Sequence, residues 1–449
     1  MSSLIEPRTL KGFRDYLPET MIPREKIMEI SRRVYRRFGF SPIDTPALEY
    51  LEILTGKGSD ETDRQLYRFE DHGGRRVGMR FDLTVPLARF AAQHIGSLGT
   101  PFKRYHIAPV WRGENTQAGR YREFVQCDFD TIGTESVVAD IETAMVIQEL
   151  FCEIGITEFS LRINNRQVLN GLLSKLHLDE KSVAILRSID KLGKIGTGGV
   201  ANELEQQVGL TTEQASQVLK LAALEGDCGA ILKELDQLLM GSELGQAGIE
   251  RLRAVTSAMQ AVGIPESRYR IDVSIARGLD YYTGTIYETM LDKLPAIGSV
   301  CSGGRYDNLA GLFTKQHLPG IGASLGLDRL LAAMESLNML EPVRTPAPVF
   351  MAYFDKERLH DYLRIASWIR AAGLGVELFP EPKKLGAQLK YADQRGFAVA
   401  VIAGSRELEQ CTCQVKNLAS QASEEVAFTD GGESLIQAIK RILAQIPQR

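Results

Sequence analysis

The segment FKRYHIAPVWRGENTQAGRYREFVQCDFDTIG, residues 102–133, is the stretch that decides the fold of this 449-residue chain. Its two flanks, 102–110 and 124–132, have the composition and length of β-strands, and a polar loop from Gly113 to Gly119 separates them. The pattern predicts a long antiparallel hairpin. A solvated hairpin with alternating charges and no ligand is the alternative interpretation.

Several arginines lie near the predicted loop of this hairpin. Arg112 ends the first strand, and Arg120 begins the second. Guanidinium groups bind phosphate oxygens through paired charge-assisted hydrogen bonds and keep their charge, so the cluster indicates a polyphosphate site. Phe124 is suited to stack on a planar base, and Glu114 to accept a hydrogen bond from an exocyclic amine.

A second informative segment is RIDVSIARGLDYYTGTIYE, residues 270–288. Polar and apolar residues alternate through 271–276, which predicts a strand ending at Arg277. An arginine beside a glycine at a strand end brings a guanidinium and a bare backbone close to a ligand. Tyr281 and Tyr282 add rings and hydroxyls, although tyrosines also serve as packing residues.

Glycine-rich stretches mark two further places. In CSGGRYD, residues 301–307, Gly303 and Gly304 permit either a turn with positive φ or a close backbone approach. In PGIGASLGLDRLL, residues 319–331, small residues alternate along a predicted strand that runs into a helix carrying Arg329. The small residues leave room for a flat ring, although tight packing gives the same pattern.

The segment RFDLTVPLARF, residues 80–90, predicts a short strand ended by Pro86. Asp82 and Thr84 stand two residues apart, so on a strand both point to one face. A carboxylate and a hydroxyl placed together suit a ligand's ammonium group. A polar face of an edge strand is the alternative.

Five regions are predicted along the chain. Residues 1–168 mix helices and strands, residues 169–262 have helical periodicity throughout, and residues 263–340 return to strands and glycine-rich turns. Residues 341–348 carry three prolines and read as a linker. Residues 349–449 alternate strands with helices, which predicts a small α/β domain with a mostly parallel sheet.

Composition excludes several classes of protein. The net charge of −4 argues against indiscriminate binding to nucleic acid, although a shaped RNA site remains compatible with it. The six cysteines are scattered and form neither a disulfide framework nor a metal-binding pattern. We expect neither a membrane-spanning segment nor a secretory signal, and therefore a cytoplasmic location. With no P-loop and no dinucleotide fingerprint, a nucleotide would bind on the antiparallel sheet.

Taken together, these segments resemble the motifs of class II aminoacyl-tRNA synthetases. Residues 39–46 resemble motif 1, residues 111–114 motif 2 and residues 320–331 motif 3. Residues 277–282 and 303–307 resemble the two motifs that are characteristic of the histidine-specific members. The C-terminal region is similar to the anticodon-binding domain of the same family.

This resemblance implies an α+β catalytic domain on an antiparallel sheet, formed by 1–168 and 263–340 and interrupted by a helical insertion, followed by a C-terminal α/β anticodon-binding-like domain. It implies a ligase that activates L-histidine with ATP and Mg²⁺ to histidyl-adenylate, then transfers histidine to tRNA(His) with release of AMP and diphosphate. A homodimer formed through motif 1 is also implied.

The resemblance also implies site residues. The implied histidine site comprises Asp82, Leu83, Thr84, Arg112, Gln126, Asp130, Arg277, Tyr281 and Tyr282. The implied ATP site comprises Arg112, Glu114, Arg120, Phe124 and Arg329. Of these, Arg112 and Arg277 are the implied catalytic residues, which hold the reacting carboxylate and the α-phosphate from opposite sides. Asp82 and Asp130 stand where many bacterial members have glutamate.

Two alternatives remain at this point. Some relatives of the family are regulatory subunits of ATP phosphoribosyltransferase, which sense histidine without charging tRNA and generally lack the C-terminal domain and the catalytic arginine. Another class II synthetase, such as the prolyl or threonyl enzyme, is the second. The presence of Arg112, Arg277 and Arg329 together with the extra domain favours a catalytic histidine enzyme.

Overall fold

The computed structural model describes residues 4–55, 60–275, 281–340 and 343–445. The strands, in chain order, are β1 (Ser41–Pro42), β2 (Leu48–Tyr50), β3 (Arg68–Glu70), β4 (Arg76–Met79), β5 (Phe102–Trp111), β6 (Glu123–Ile132), β7 (Phe159–Asn165), β8 (Tyr269–Ile271), β9 (Thr285–Leu291), β10 (Cys301–Arg305), β11 (Gly320–Gly326), β12 (Val349–Met351), β13 (Val376–Leu378), β14 (Val399–Ile402), β15 (Thr412–Asn417) and β16 (Ser423–Ala427).

The helices are α1 (Pro18–Arg37), α2 (Leu51–Leu54), α3 (Asp60–Gln65), α4 (Thr84–Leu98), α5 (Val137–Ile154), α6 (Arg166–Lys175), α7 (Ser182–Ile189), α8 (Leu192–Gln206), α9 (Thr212–Ala222), α10 (Cys228–Leu238), α11 (Glu243–Ala261), α12 (Leu327–Ser336), α13 (Leu359–Ala371), α14 (Leu385–Arg395), α15 (Ser405–Glu409) and α16 (Glu433–Gln445). The chain divides into two compact units, one of Met1–Arg14 with Ile27–Leu337 and one of Asp15–Lys26 with Asn338–Arg449.

An eight-stranded sheet organises the first unit, in the order β1-β5-β6-β11-β10-β9-β7-β8. The five pairs between β5 and β7 are antiparallel, and only the two edge pairs are parallel. The predicted hairpin is confirmed, because β5 and β6 pair from Phe102↔Ile132 to Trp111↔Glu123. The antiparallel sheet expected for this unit is therefore the observed one.

The two faces of this sheet differ because successive side chains of a strand point to opposite sides. On the back face, Cys127 and Phe129 of β6 are fully buried, and the Tyr35 hydroxyl of α1 donates to the Cys127 carbonyl at 2.9 Å. Helix α5 packs against β10 and β11. On the front face, β6 instead carries Gln126, Asp128 and Asp130. The apolar back face anchors the sheet and leaves the front face for polar chemistry.

Helices occupy residues 166–261 almost throughout, as the helical periodicity of this stretch predicts. The predicted capping box of α9 is confirmed, since the Thr211 side chain accepts from the Gln214 backbone N–H and the Gln214 side chain accepts from the Thr211 N–H. Asp227 and Ser242 cap α10 and α11 with one hydrogen bond each, accepted from the Ala230 and Gly245 backbone N–H groups. These caps satisfy backbone donors that the first helical turn leaves free.

The strand predicted at residues 80–90 is wrong. Helix α4 begins at Thr84, and Asp82 accepts hydrogen bonds from the Thr84 and Val85 N–H groups at 3.1 and 2.9 Å. Pro86 occupies the first helical turn, where its missing N–H removes no helical bond, rather than ending a strand. The capping carboxylate therefore turns a strand-like pattern into a helix start.

The strand predicted through residues 271–276 is also too long. Strand β8 ends at Ile271, and the Asp272 carboxylate then accepts from the Ser274 N–H at 3.1 Å and the Ser274 hydroxyl at 2.5 Å. Such a local side-chain bond stabilises a turn instead of an extended chain. The expected strand end at Arg277 lies outside the described residues.

The second unit contains a five-stranded sheet in the order β13-β12-β14-β15-β16. The pairs among β13, β12 and β14 are parallel, and those joining β14, β15 and β16 are antiparallel, so the expectation of a mostly parallel sheet is wrong for half of the pairs. A parallel connection needs about a dozen residues or more, and the segments 403–411 and 418–422 are shorter. Helices α13, α14 and α16 pack on this sheet around Phe350 and Tyr362.

Within the described ranges, no helix is at once long enough and apolar enough to cross a membrane.

Candidate active site

The front face of the large sheet forms a floor of polar and small residues. In the register of β6 with β11, Gln126 pairs with Gly326, Asp128 with Ser324, and Asp130 with Gly322. Each acidic or amide side chain of β6 thus stands beside a glycine or serine. The small neighbours leave space above the sheet, as a ligand-binding floor requires.

The glycines of this floor are needed for close approach and not for turns. A Cβ on Gly322 would lie 2.2 Å from the Asp130 Oδ1 atom, and a Cβ on Gly304 would lie 2.6 Å from the Thr285 carbonyl oxygen. Gly303 and Gly304 lie within β10, and Gly322 lies within β11. A turn and a close backbone approach were the two roles predicted for Gly303 and Gly304, and the structure shows the close approach. A side chain at Gly322 would displace the carboxylate of Asp130 from its position, and one at Gly304 would clash with the neighbouring strand.

At one end of the floor, Asp130 is held in a buried network. Its Oδ2 lies 2.7 Å from the Arg104 Nη2, and its Oδ1 accepts from the Tyr306 hydroxyl at 2.5 Å. Arg104 is fully buried and Asp130 is 3% exposed. Burial raises the pKa of Asp130, while the Arg104 guanidinium lowers it. The ion pair fixes the direction in which this carboxylate faces the floor.

Sequence reasoning missed Arg104 and Tyr306 as site residues. The signal for Arg104 was partial, because a hairpin with its loop at residues 113–119 places residue 104 on the same face as Asp128 and Asp130, and only the observed register shows that it stands opposite Asp130. Tyr306 stood inside the GGRYD segment without a role of its own. Neither residue looked unusual, since arginine and tyrosine are ordinary in exposed strands.

Asp82 reaches the same end of the floor from the start of α4. It is 4% exposed, and burial raises its pKa against the lowering effects of the Val85 backbone bond and the Arg112 charge. The Leu83 carbonyl beside it accepts from the Arg104 Nη2 at 3.2 Å. The structure thus brings Asp82, Leu83 and Asp130 together around a single buried arginine.

Three tyrosines enclose this acidic end. The ring centroids of Tyr281 and Tyr282 are 5.3 Å apart, and those of Tyr281 and Tyr306 are 5.9 Å apart. The Tyr281 side chain hydrogen-bonds that of Thr84, and burial raises the pKa of all three phenols, which keeps them protonated. Phenol rings and hydroxyls surrounding carboxylates suit a small heterocycle that bears an ammonium group.

The other end of the floor is rich in arginine. The Arg112 guanidinium lies 4.3 Å from the Phe81 ring centroid and 5.1 Å from that of Phe124, and its Nε donates to the Phe81 carbonyl at 3.1 Å. Arg120 and Glu114 form a looser ion pair at 3.6 Å. Phe124 and Arg112 are both partly exposed, so a planar ring has access to them.

Arg329, near the start of α12, faces the same end. Its Nη1 donates to the Ser299 carbonyl at 2.7 Å. Burial lowers the pKa of Arg329 first, and the positive charges of Arg120 and Arg112 lower it further, whereas Glu114 and Glu288 raise it. Three arginines that repel one another are held at one place, which is a fit for a polyanion.

The structure therefore groups every predicted site residue that it describes on one face. Arg277, the second predicted catalytic residue, lies outside the described residues. In the described parts of the chain, no group of three or more His, Cys, Asp or Glu side chains is arranged to hold a metal ion. The charges of Glu114 and Glu288 raise the pKa of Arg329, and carboxylates are hard oxygen ligands of the kind that Mg²⁺ accepts.

Family models match most of the chain. A model described as "Histidyl-tRNA synthetase" matches residues 12–330, and one described as "Anticodon binding domain" matches residues 348–438. The two matches divide the chain between a first part that contains the large sheet and a second part that contains the five-stranded sheet.

Individual proteins agree with these models. The chain is 65% identical over 438 residues to a histidine–tRNA ligase of Rhodopirellula baltica, covering 97% of this chain and 99% of that protein. The crystal structure of a histidyl-tRNA synthetase from Nostoc sp. PCC 7120 superimposes with a TM-score of 0.89 at 37% identity, covering 98% of this chain and 100% of the other.

A more distant structure, of an ATP phosphoribosyltransferase regulatory subunit/histidyl-tRNA synthetase from Bacillus halodurans, is 23% identical and has a TM-score of 0.74 over 87% of this chain and 97% of its own. It shares the fold, and at that identity the likeness carries no more.

Proposed function

Because this chain belongs to the histidyl-tRNA synthetase family, we propose that it is a histidine–tRNA ligase. The enzyme joins L-histidine to ATP, forming histidyl-adenylate and diphosphate. A ribose hydroxyl at the end of tRNA(His) then attacks the adenylate and releases AMP. Neither step needs a covalent nucleophile from the protein, which supplies position and charge.

Histidine binds at the acidic end of the floor. Its ammonium group is received by Asp82, Thr84 and Gln126, and its imidazole lies among Tyr281, Tyr282 and the Asp130 carboxylate. Asp130 keeps its orientation because the Tyr306 hydroxyl donates to one of its oxygens and the Arg104 guanidinium forms an ion pair with the other. A neutral imidazole ring with two nitrogens needs one donor and one acceptor in fixed places, and such a network provides them.

ATP binds at the arginine end. Adenine stacks on Phe124 and meets Glu114, while Arg120 and Arg329 take up the outer phosphates. Arg112 lies between the two ends, within the field of Asp82 and of Arg329, and holds the reacting carboxylate and the α-phosphate. Arg277 has the corresponding role from the opposite side, by family resemblance.

Mg²⁺ would neutralise the outer phosphates, and Glu114 and Glu288 are the carboxylates placed to share in holding it. The domain that matches the anticodon-binding model would recognise tRNA(His). A homodimer through residues 39–46 and a cytoplasmic location complete the proposal.

The observation that carries the proposal is the continuity of the two ends. A buried, hydrogen-bonded acidic pocket and a cluster of repelling arginines share one sheet face and are bridged by Arg112. If an amino acid and a polyphosphate bound there, the carboxylate of the amino acid would lie against a phosphorus atom of the polyphosphate. A protein that only sensed histidine would have no use for the arginine end.

Pyrophosphate exchange with each amino acid in turn tests this function. We expect ATP formation from labelled pyrophosphate with histidine and with no other amino acid, and charging of tRNA(His) by the same preparation. Saturable histidine binding by calorimetry without any exchange would identify a sensor instead. Exchange with proline or threonine would assign a different synthetase.

A further inference from the structure

A short chain of hydrogen bonds crosses the centre of the floor from β6 to β11 and back. The Gln126 Nε2 donates to the Ser324 Oγ at 2.8 Å. Asp128 stands directly opposite Ser324 in the register of β6 with β11, so both side chains lie on the same face, and Ser324 lowers the pKa of Asp128 as a donor to its carboxylate does. Gln126 and Asp128 are 8% and 2% exposed, and Ser324 between them is partly exposed, so the two outer members of the chain are shielded from water.

Directionality in this chain follows from the single hydrogen of the serine hydroxyl. An ionised Asp128 only accepts hydrogen bonds, so the Ser324 O–H must donate to it. The Ser324 oxygen is then left to accept, and only the NH₂ side of the Gln126 amide satisfies it. The Gln126 Oε1 consequently turns away from Ser324, and in the described structure this buried oxygen has no hydrogen-bond partner.

A buried acceptor without a partner costs free energy unless a ligand supplies a donor. At this place in the proposed reaction the donor is the histidine ammonium. The amide of a glutamine is otherwise ambiguous, because its two ends have nearly the same shape and opposite hydrogen-bonding character. Something other than shape must therefore decide which end of Gln126 faces the ligand.

We propose that Asp128 is a positioning residue for histidine, which acts through Ser324 to keep the carbonyl end of Gln126 towards the substrate ammonium. The inference rests on the proposed function, since it takes histidine as the ligand of this pocket. Asp128 itself needs no contact with the substrate. Its carboxylate polarises the serine hydroxyl, and the serine selects the orientation of the amide.

Loss of this control has a definite consequence. Without the carboxylate, the Ser324 hydroxyl is free to donate to the Gln126 carbonyl, and the amide turns its NH₂ group towards the ligand. An ammonium group then meets a donor instead of an acceptor. Hydrogen bonds that involve a charged group are worth enough to make about a ten-fold difference in affinity, and often more.

The test is steady-state pyrophosphate exchange with the full-length Asp128→Ala and Ser324→Ala variants. We expect the KM for histidine to rise about ten-fold in both, with the KM for ATP changed less than about two-fold. Ser302→Ala is the matched control, because Ser302 is paired with Ser324 on the same face of the neighbouring strand and lies farther from Gln126. Its KM for histidine should stay near the wild-type value.

Two inhibitors separate positioning from a general loss of the pocket. L-Histidinol keeps the ammonium group, whereas imidazolelactate carries a hydroxyl in its place. Asp128→Ala should weaken inhibition by histidinol about ten-fold and leave that by imidazolelactate unchanged. Equal weakening of both would overturn the inference, as would an unchanged KM for histidine.

Asp128→Asn provides a second route if the alanine variant fails to fold, because it keeps the shape of the side chain. It should weaken inhibition by histidinol and not that by imidazolelactate, as in the alanine variant, since an amide does not dictate the direction of the Ser324 hydroxyl. Wild-type enzyme without histidine-dependent exchange would instead contradict the proposed function. The failure of the inference and the failure of the function are thereby distinguished.

Discussion

At the histidine end of the floor, the charged groups are buried and joined to one another, whereas at the phosphate end they are partly exposed and mostly positive. Arg104 and Asp130 form a 2.7 Å ion pair with almost no exposure. Arg112 and Arg329 remain accessible, and the charge of Arg112 lowers the pKa of Arg329. The same sheet face thus carries buried, paired charges at one end and accessible positive charges at the other.

The difference reflects the two ligands. A small amino acid is selected by acceptors and donors whose directions are fixed in advance, and burial together with bonds to neighbouring side chains fixes them. A polyphosphate brings its own negative charge, so its site needs accessible cations whose mutual repulsion is offset only when the ligand binds. Substitutions at the two ends should therefore separate stability from activity.

The largest effect is expected at the bridge between the ends. Arg112→Ala should reduce the rate of histidine-dependent pyrophosphate exchange by about 10³-fold, because it removes a charge that meets the transferring phosphorus group. Thermal unfolding should change little, since Arg112 is partly exposed and its Nε donates to one backbone carbonyl, that of Phe81.

Arg112→Lys is the matched control, because lysine keeps the positive charge but lacks the planar guanidinium group with its paired N–H donors. It should recover only part of the lost rate, because lysine cannot hold two oxygens at once. Full recovery would show that charge alone matters at this position. A normal rate in Arg112→Ala would contradict the assignment of Arg112 to catalysis.

A contrast in stability comes next. Arg104→Met should lower the free energy of unfolding by about 3 kcal/mol, because it leaves Asp130 buried without its counter-charge. Arg120→Met, at the phosphate end, should cost less than about 1 kcal/mol, because its ion pair with Glu114 is long and partly exposed. Urea denaturation of both variants measures the two values.

The double variant Arg104→Met with Asp130→Asn tests the reason for that loss. Removing both charges should restore much of the stability, since the uncompensated carboxylate is then absent. If the double variant is as unstable as Arg104→Met, the loss comes from packing and not from the ion pair. Equal losses in Arg104→Met and Arg120→Met would remove the distinction between the two ends.

The sequence allowed much of this arrangement to be anticipated, and its failures have local causes. The hairpin β5/β6 and the strand–helix junction at β11 and α12 follow from alternation and from turn residues, which report local structure directly. The start of α4 was mistaken for a strand because the cap comes from Asp82, whose buried position depends on the rest of the fold.

Pairings between distant residues were the hardest part to foresee. The ion pair of Arg104 with Asp130 and the bond of Tyr306 to the same carboxylate join segments 26 and 176 positions apart. Composition makes an arginine in a strand look solvent-exposed, and only the register of the folded sheet reveals it as buried. The antiparallel pairs of the C-terminal sheet were missed for another reason, since the short connections 403–411 and 418–422 were not weighed against the strand–helix alternation.

A pH dependence sharpens the comparison at the histidine end. Burial raises the pKa of Asp128 to about 7, against the lowering effects of Arg104 and Ser324. Below that pH the protonated carboxyl no longer dictates the direction of the Ser324 hydroxyl. The KM for histidine should therefore fall about five-fold from pH 6 to pH 8, because at a pKa near 7 roughly a tenth of Asp128 is ionised at pH 6 and roughly nine-tenths at pH 8, and the protonated form binds histidine about ten-fold more weakly.

Other ionisable groups surround this carboxyl and must be considered. They are Arg80, Asp82, Arg104, His106, Asp130, Tyr282, Cys301 and Tyr35. His106 stays neutral between pH 6 and 8, because burial and the neighbouring arginines lower its pKa to about 4. The titration of free histidine affects wild type and Asp128→Asn equally, so the ratio of their KM values isolates Asp128. A constant ratio across this range would exclude it as the titrating group.

The smallest effect is expected from a glycine at the phosphate end. A Cβ on Gly326 would have its nearest neighbour, the Val300 carbonyl oxygen, at 3.7 Å, so Gly326→Ala fits the folded chain. It should leave the midpoint of thermal unfolding nearly unchanged and raise the KM for ATP by a factor of about two to five, since one methyl group narrows the floor beneath the nucleotide.

Gly322→Ala is its counterpart at the histidine end, four residues earlier on the same strand. There the added carbon would lie 2.3 Å from the Phe129 carbonyl oxygen, which is backbone and cannot turn away. This variant should lose stability before any effect on substrate binding can be measured. If the two alanine variants unfold at the same temperature, the histidine end is no more rigid than the phosphate end, and the contrast between a fixed pocket and an accessible one fails at the level of the backbone.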